Sequence, residues 1–129
     1  MSTIKEEPSR ETQLTVLQAQ LCKTLSHVKR LQIIRALENG ERCVGDLVEE
    51  LELPYANLSQ HLRSLRQVGL IEVRHEGKRS YYRLATPRIA RACAALRGVL
   101  RYRLEKLGQL AQTLVTHQDD DQPGGKNEP

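Results

Sequence analysis

The hydrophobic period of this chain changes at Gly69, and few folds accommodate that change. Upstream, in ANLSQHLRSLRQ, Leu58, Leu62 and Leu65 recur every three or four residues. Downstream, IEVRHEGKRSYYRL carries an apolar or aromatic residue near every second position, with Glu76-Gly77 in the middle. The first pattern is the buried stripe of an amphipathic helix; the second is a half-covered strand that turns back on itself as a hairpin. The chain therefore runs from a short helix straight into a β-hairpin with a basic tip.

The remaining segments are helical in period. Leu14, Leu17, Leu21 and Leu25 predict a first helix over about residues 9–25. Ser26 is the expected N-cap of a second helix, VKRLQIIRALEN, which Gly40 stops. VGDLVEELEL sets Val44, Leu47, Val48 and Leu51 on one side, and a break at Pro54 precedes the helix from Tyr55 to Gln67. After the hairpin, Thr86-Pro87 has the form of an N-cap followed by proline at the first helical position. The last helix then carries Ile89, Cys93, Leu96, Leu100, Leu104, Leu107, Ala111 and Leu114 along one stripe. That stripe is longer than a 129-residue monomer can cover alone, which predicts a homodimer seamed by the last helix together with the first. The expected fold is mainly α with a small β-hairpin: a winged helix-turn-helix in the order α1-α2-α3-α4-β-β-α5. Residues 9–117 form the domain. Residues 1–8 and the acidic segment 118–129 are polar, aperiodic and rich in helix breakers, and are expected to be disordered tails.

Charge narrows the partner. The chain has 20 basic and 16 acidic residues, a modest net +4. Between Pro54 and Arg91, however, eight Lys or Arg face two Glu, while acids gather at Glu6, Glu7 and Asp119–Asp121. A basic middle between acidic ends suits a polyanion. With Leu58, Leu62 and Leu65 turned inward, Tyr55, Asn57, Ser59, Gln60, His61, Arg63 and Ser64 occupy the flanks and outer face of their helix. Asn and Gln pair with adenine, Arg with guanine, and Ser with bases or phosphates, the chemistry of a helix laid in the major groove of double-stranded DNA. Arg74, His75, Lys78 and Arg79 on the hairpin would lie along phosphates or the minor groove and supply affinity. A protein-docking winged helix is the alternative. It would favour apolar side chains where this chain has Gln60, His61 and Arg63.

The segments KTLSHVKRLQIIRAL, ERCVGDLVEELEL and ANLSQHLRSLRQVGLIEVRHEGKRSYYRL resemble the ArsR/SmtB family of bacterial repressors, over about residues 14–105. The resemblance implies a homodimeric winged-helix repressor that binds an inverted repeat and releases it when an inducer, often a metal ion or arsenite, binds. The chain departs from the family at its inducer sites. Where the family pattern ELCVCDL offers two thiolates, this chain reads ERCVGDL and has Cys43 but Gly45. At the aligned positions of the last-helix metal site stand Thr86, Arg88, Val99 and Tyr102, and at those of a sulfur-sensing cysteine pair stand Arg35 and Arg101. One thiolate without companions does not close a site for a soft ion, so neither a metal nor any other cofactor is expected.

The three cysteines, Cys22, Cys43 and Cys93, lack framework spacing and fit reduced thiols. Cys22 and Cys93, on the first and last helices, read either as buried small hydrophobes or as a redox switch at the dimer seam. Cys43 reads as packing beneath the helix-turn-helix. His27, His61, His75 and His117 show no paired ligand spacing. No phosphate loop or nucleophile motif points to an enzyme. No apolar run is long enough for a membrane span, and MSTIKEEPSR lacks the apolar stretch of a signal peptide, so the expected location is the cytoplasm.

Overall fold

The structure, a computed structural model, describes the backbone of residues 6–121 and the side chains of residues 6–116. The elements run α1 (Arg10–Leu25), α2 (Val28–Ala36), β1 (Arg42–Cys43), α3 (Val44–Leu51), α4 (Tyr55–Gln67), β2 (Ile71–Glu76), β3 (Arg79–Leu84) and α5 (Pro87–Asp121). The described residues up to Ala90 form one compact unit, and α5 from Arg91 belongs to a second.

The first unit closes around Ile33, Ile34 and Leu37 from α2 and its end, Leu47 and Leu51 from α3, and Leu58, Leu62 and Leu65 from α4. Leu70 and Ile71 complete the core at the start of the hairpin. All ten are buried, and among the described residues no polar residue is buried. Aliphatic branching fills this core without an aromatic, since the chain has neither Phe nor Trp. The predicted stripe of α4 is thus the side that α2, α3 and β2 cover.

The joints explain the angles. Ser9 caps α1 by accepting from the Thr12 N–H at 3.2 Å. The expectation that Ser26 would cap α2 is corrected. Ser26 ends α1, its N–H donating to the Lys23 carbonyl at 3.1 Å, and His27 with extended backbone is the N-cap. Only two residues separate the helices, so Ser26 is consumed by the first. Lys29 reaches across to donate to the Leu51 carbonyl at 3.0 Å, satisfying an open group at the end of α3. At Gly69 the chain leaves α4 with φ +76. The Leu70 N–H bonds the Leu65 carbonyl and the Gly69 N–H the Arg66 carbonyl, at 3.0 and 2.9 Å. Those paired bonds are a Schellman ending, in which glycine takes the left-handed position at no steric cost.

The hairpin extends the expectation in two ways. Glu76 pairs with Arg79, so the turn is Gly77-Lys78 rather than Glu76-Gly77, with Gly77 at φ +62 and a non-positive φ at Lys78. That is the two-residue pattern with glycine first, which matches the twist of the strands. In addition β1 pairs with β3 on the side away from β2, giving a three-stranded antiparallel sheet in the order β1-β3-β2. A two-residue strand carries no period, so the sequence could not announce it. Thr86 does cap α5, accepting from the Arg88 N–H at 3.3 Å, and Pro87 is its first residue. The helix runs four residues past the expected boundary at 117, because no Gly or Pro interrupts it before Pro123. The rest of the expected acidic tail and residues 1–5 lie outside the described residues. No helix among the described residues is long and apolar enough to cross a membrane.

Candidate nucleic-acid interface

On α4 the three buried leucines leave Tyr55, Asn57, Gln60 and Arg63 exposed, followed by Arg66 and Gln67. Asn57, Gln60, Arg63 and Gln67 follow one another at three, three and four residues. They form a single polar ridge of amide and guanidinium groups, while Tyr55, 66 % exposed, lies at the helix N-terminus on another face.

Ser59, His61 and Ser64 are placed differently. All three are half-buried, and two of them belong to a cluster the sequence did not suggest. Arg30 of α2 donates from Nε to His61 Nδ1 at 3.0 Å and from Nη2 to Ser64 Oγ at 3.3 Å. Its third nitrogen, Nη1, donates to the Thr24 carbonyl at the end of α1, 3.1 Å away. The His27 ring stands 5.3 Å from that of His61. Burial, then the charges of Arg30 and His27, lower the His61 pKa from its ordinary value. With Nδ1 accepting, a neutral His61 carries its proton on Nε2. His61 and Ser64 therefore lie on the flank of α4 that faces α2.

The wing also divides. Lys78 and Arg79 are exposed at the turn and, among the described residues, neither forms an ion pair. His75 is exposed and shares a 3.0 Å hydrogen bond with Ser80. Arg74 is committed elsewhere. Its Nη2 and Nε donate to Glu41 at 2.7 and 3.2 Å, its Nη1 to Glu76, and its guanidinium lies 4.7 Å from the centre of the Tyr81 ring. The Arg74 hydrogen bonds hold the Glu41 carboxyl below its ordinary pKa. Arg83 similarly pairs with Glu72 directly opposite it, at 3.0 Å. Of the wing's cations, those left facing outward without an acid are thus Lys78 and Arg79.

The cysteines are free thiols. Cys22 is exposed on α1, and Cys43 is half-buried in β1 opposite Tyr81. Cys93 is half-buried, and burial raises its pKa, the direction that suppresses thiolate and lowers reactivity. Beside Cys43, a side chain added at Gly45 would meet only the Cys43 sulfur, at 4.0 Å, so Gly45 leaves open space rather than a second ligand. No group of three or more His, Cys, Asp or Glu among the described residues is arranged to hold a metal ion.

Residues 27–73, from the cap of α2 to the first half of β2, match the model of the bacterial regulatory protein, arsR family. A biofilm growth-associated repressor of Agrobacterium fabrum is 40% identical over 89 residues, covering 69% of this chain and 75% of the relative. The crystal structure of Rv0081 of Mycobacterium tuberculosis superposes with a TM-score of 0.68 at 36% identity, over 78% of this chain and 97% of that one. A homodimeric winged helix-turn-helix DNA-binding domain, Mb0332 of Mycobacterium bovis, superposes with a TM-score of 0.70 at 33% identity, over 80% and 95%. The relative and the two solved structures are 33–40% identical over 69–80% of this chain, and with the match to the family model they show that the chain belongs to the ArsR family of bacterial regulatory proteins.

Proposed function

We propose that this DNA-binding transcriptional regulator is a repressor that binds an inverted-repeat operator as a homodimer. The observation that carries the reading is the ridge Asn57, Gln60, Arg63 on α4, with Lys78 and Arg79 exposed on the wing of the same unit. The ridge offers the side chains that discriminate base edges, and the wing tip offers point charges for phosphate. A docking surface for protein would need apolar residues in place of those amides.

Dimerisation is supported by what each of two helices leaves uncovered. On α1, Leu14 and Leu17 are 59% and 60% exposed; on α5, Leu96, Leu100, Leu104, Leu107 and Leu114 are all more than half exposed. A soluble chain does not leave a leucine stripe of that length in water, and a second copy offers the same stripe in return. Two-fold symmetry then calls for two half-sites about one DNA turn apart, roughly 34 Å between recognition helices. The same reading sets the protein in the cytoplasm, with its DNA.

The effector is not a thiolate-bound metal of the family's kind, since Gly45 stands in the second ligand position. The raised pKa of Cys93 favours a packing role over a redox switch. The test is selection of duplexes from a randomised pool, followed by anisotropy titration of the winning sequence and a scrambled duplex at several salt concentrations. Enrichment of a palindrome bound by two chains, with affinity falling steeply as salt rises, is the expected result. Enrichment of no sequence would leave no ground for the proposal.

A further inference from the structure

The Arg30 cluster joins three elements that the function needs in fixed relation. Its guanidinium is the only group drawn into hydrogen bonds with both α1 and α4 among the described residues, and it does so with three separate nitrogens. The Thr24 carbonyl belongs to the last turn of α1, where helical carbonyls lack an intrahelical donor. His61 and Ser64, three residues apart, lie on the α2-facing flank of α4, so the fork of Arg30 grips that helix at two points and resists its rotation. A planar guanidinium holds such a geometry where a flexible ammonium would not. Rotation matters because Gln60 and Arg63 alternate along the helix with His61 and Ser64, so a small turn of α4 moves the ridge off the base edges.

We infer that Arg30 is a positioning residue for DNA recognition, clamping the recognition helix to the end of α1 through His61 and Ser64. The inference rests on the proposal that the α4 ridge reads DNA. Arg30 touches no base in this scheme. It sets the angle at which Asn57, Gln60 and Arg63 enter the groove. Because α1 is also one of the proposed dimer helices, the clamp ties the setting of each recognition helix to the seam of the dimer.

The clamp has a chemical signature that mere packing lacks. His61 serves it only while Nδ1 is unprotonated. A proton there removes the acceptor and sets a positive charge beside Arg30 and the His27 ring. The charged and titratable groups acting on His61 are Arg30 from α2 and His27 from its cap; α1 contributes the neutral Thr24 carbonyl, and neither α3 nor β2 brings a charge to bear. Acid below the ordinary histidine range therefore opens the clamp. Because the folded state resists that proton and the unfolded chain does not, the contribution of His61 to stability is full above the ordinary histidine range and is lost as pH falls from that range through the lowered His61 pKa.

The experiment uses the full chain, a fluorescent duplex selected from a randomised pool, and a scrambled duplex of the same length. Arg30→Lys keeps the charge and gives up the fork; Arg30→Met gives up both; His61→Gln keeps an acceptor that cannot titrate. At pH 7.5 both Arg30 variants are expected to bind the selected duplex at least tenfold more weakly, with scrambled-duplex affinity changed no more than twofold. For the parent, selectivity should fall at least fivefold once the pH is taken below the His61 pKa that its own imidazole resonances give, while His61→Gln holds it flat. In the DNA-free parent, imidazole nitrogen resonances should show His61 Nδ1 unprotonated and Nε2 protonated at pH 7.5, with a pKa that rises in Arg30→Met, where the neighbouring charge is gone. If Arg30→Met does not fold, Arg30→Lys and the resonances still decide. Selectivity retained within twofold in Arg30→Lys, or a proton found on Nδ1 at pH 7.5, would overturn the clamp. A pool that yields no preferred sequence overturns the DNA reading and the inference with it, an outcome distinct from a preferred sequence that Arg30 does not influence.

Discussion

Arg74 of β2 and Glu41, the residue before β1, meet across the central strand of the sheet, with Arg74 Nη2 2.7 Å from Glu41 Oε1 and Nε 3.2 Å from Oε2. Both carboxylate oxygens are engaged, and the guanidinium rests on the Tyr81 ring of the strand between them. A cation so held is a brace for the wing. A phosphate would have to displace two acids to use it, whereas Lys78 and Arg79 need no such exchange. Replacing Lys78 or Arg79 by Ala should therefore lower affinity for all sequences alike and reduce the salt slope by about one counterion each. Arg74→Ala should leave the slope within error of the parent. Anisotropy titrations of a scrambled duplex between 50 and 300 mM salt, on the order of the range where such slopes are linear, provide the check; an equal loss of slope in all three would return Arg74 to the phosphate-binding set.

Gln60 lies at the centre of the exposed ridge, with Asn57 and Arg63 three residues to either side. An amide in the major groove pairs twice with adenine, and the loss of one such pair costs about 1–3 kcal/mol of discrimination. Gln60→Ala is expected to lower affinity for the selected duplex by that amount and leave the scrambled duplex untouched. The ratio of the two affinities is the measurement, and an unchanged ratio would remove Gln60 from the base-reading set.

What the sequence disclosed and what it withheld follow from the range of each interaction. The stripe Leu58, Leu62, Leu65 and the alternation after Gly69 are local periods, so the helix from Tyr55 to Gln67 and the hairpin were legible from them, to the residue in the case of α4. A period tells which face of a helix is buried but not which distant side chain will meet its flank. Arg30 is 31 residues from His61 and Arg74 is 33 from Glu41, and neither pairing leaves a trace in spacing. Spacing alone therefore sets His61, Ser64 and Arg74 among the polar residues of helix and wing and is silent on the partners they have within the chain. The edge strand Arg42–Cys43 was illegible for a different reason, since two residues are too few to alternate.

Gly69 is where the recognition helix hands over to the wing, at φ +76 with nothing within 4 Å of an added Cβ. Space is therefore not the constraint; backbone handedness is. Alanine in the left-handed region costs about 1–2 kcal/mol. Gly69→Ala should lower the stability of the fold by about that much without altering the identity of the preferred duplex. Chemical denaturation followed by circular dichroism measures the first and repeat selection the second. A stability equal to the parent would mean that the Schellman ending after Gln67 does not persist in solution.

The uncovered stripe of α5 gives the last prediction. Leu100 and Leu107 are 59% and 53% exposed and stand two turns apart on the same face of the helix. In an isolated chain, replacing either by Glu removes an apolar group from water and should leave the fold intact. In a dimer seamed there, it buries a carboxylate against leucine, which opposes association strongly. The double variant Leu100→Glu, Leu107→Glu is therefore expected to sediment as a monomer with parental helicity. Its affinity for a palindromic duplex should fall much further than its affinity for a scrambled one, because one recognition helix reads half the site and the second no longer binds as part of the same molecule. A double variant that still sedimented as a dimer would place the seam on another face and leave the α5 leucines to a different partner.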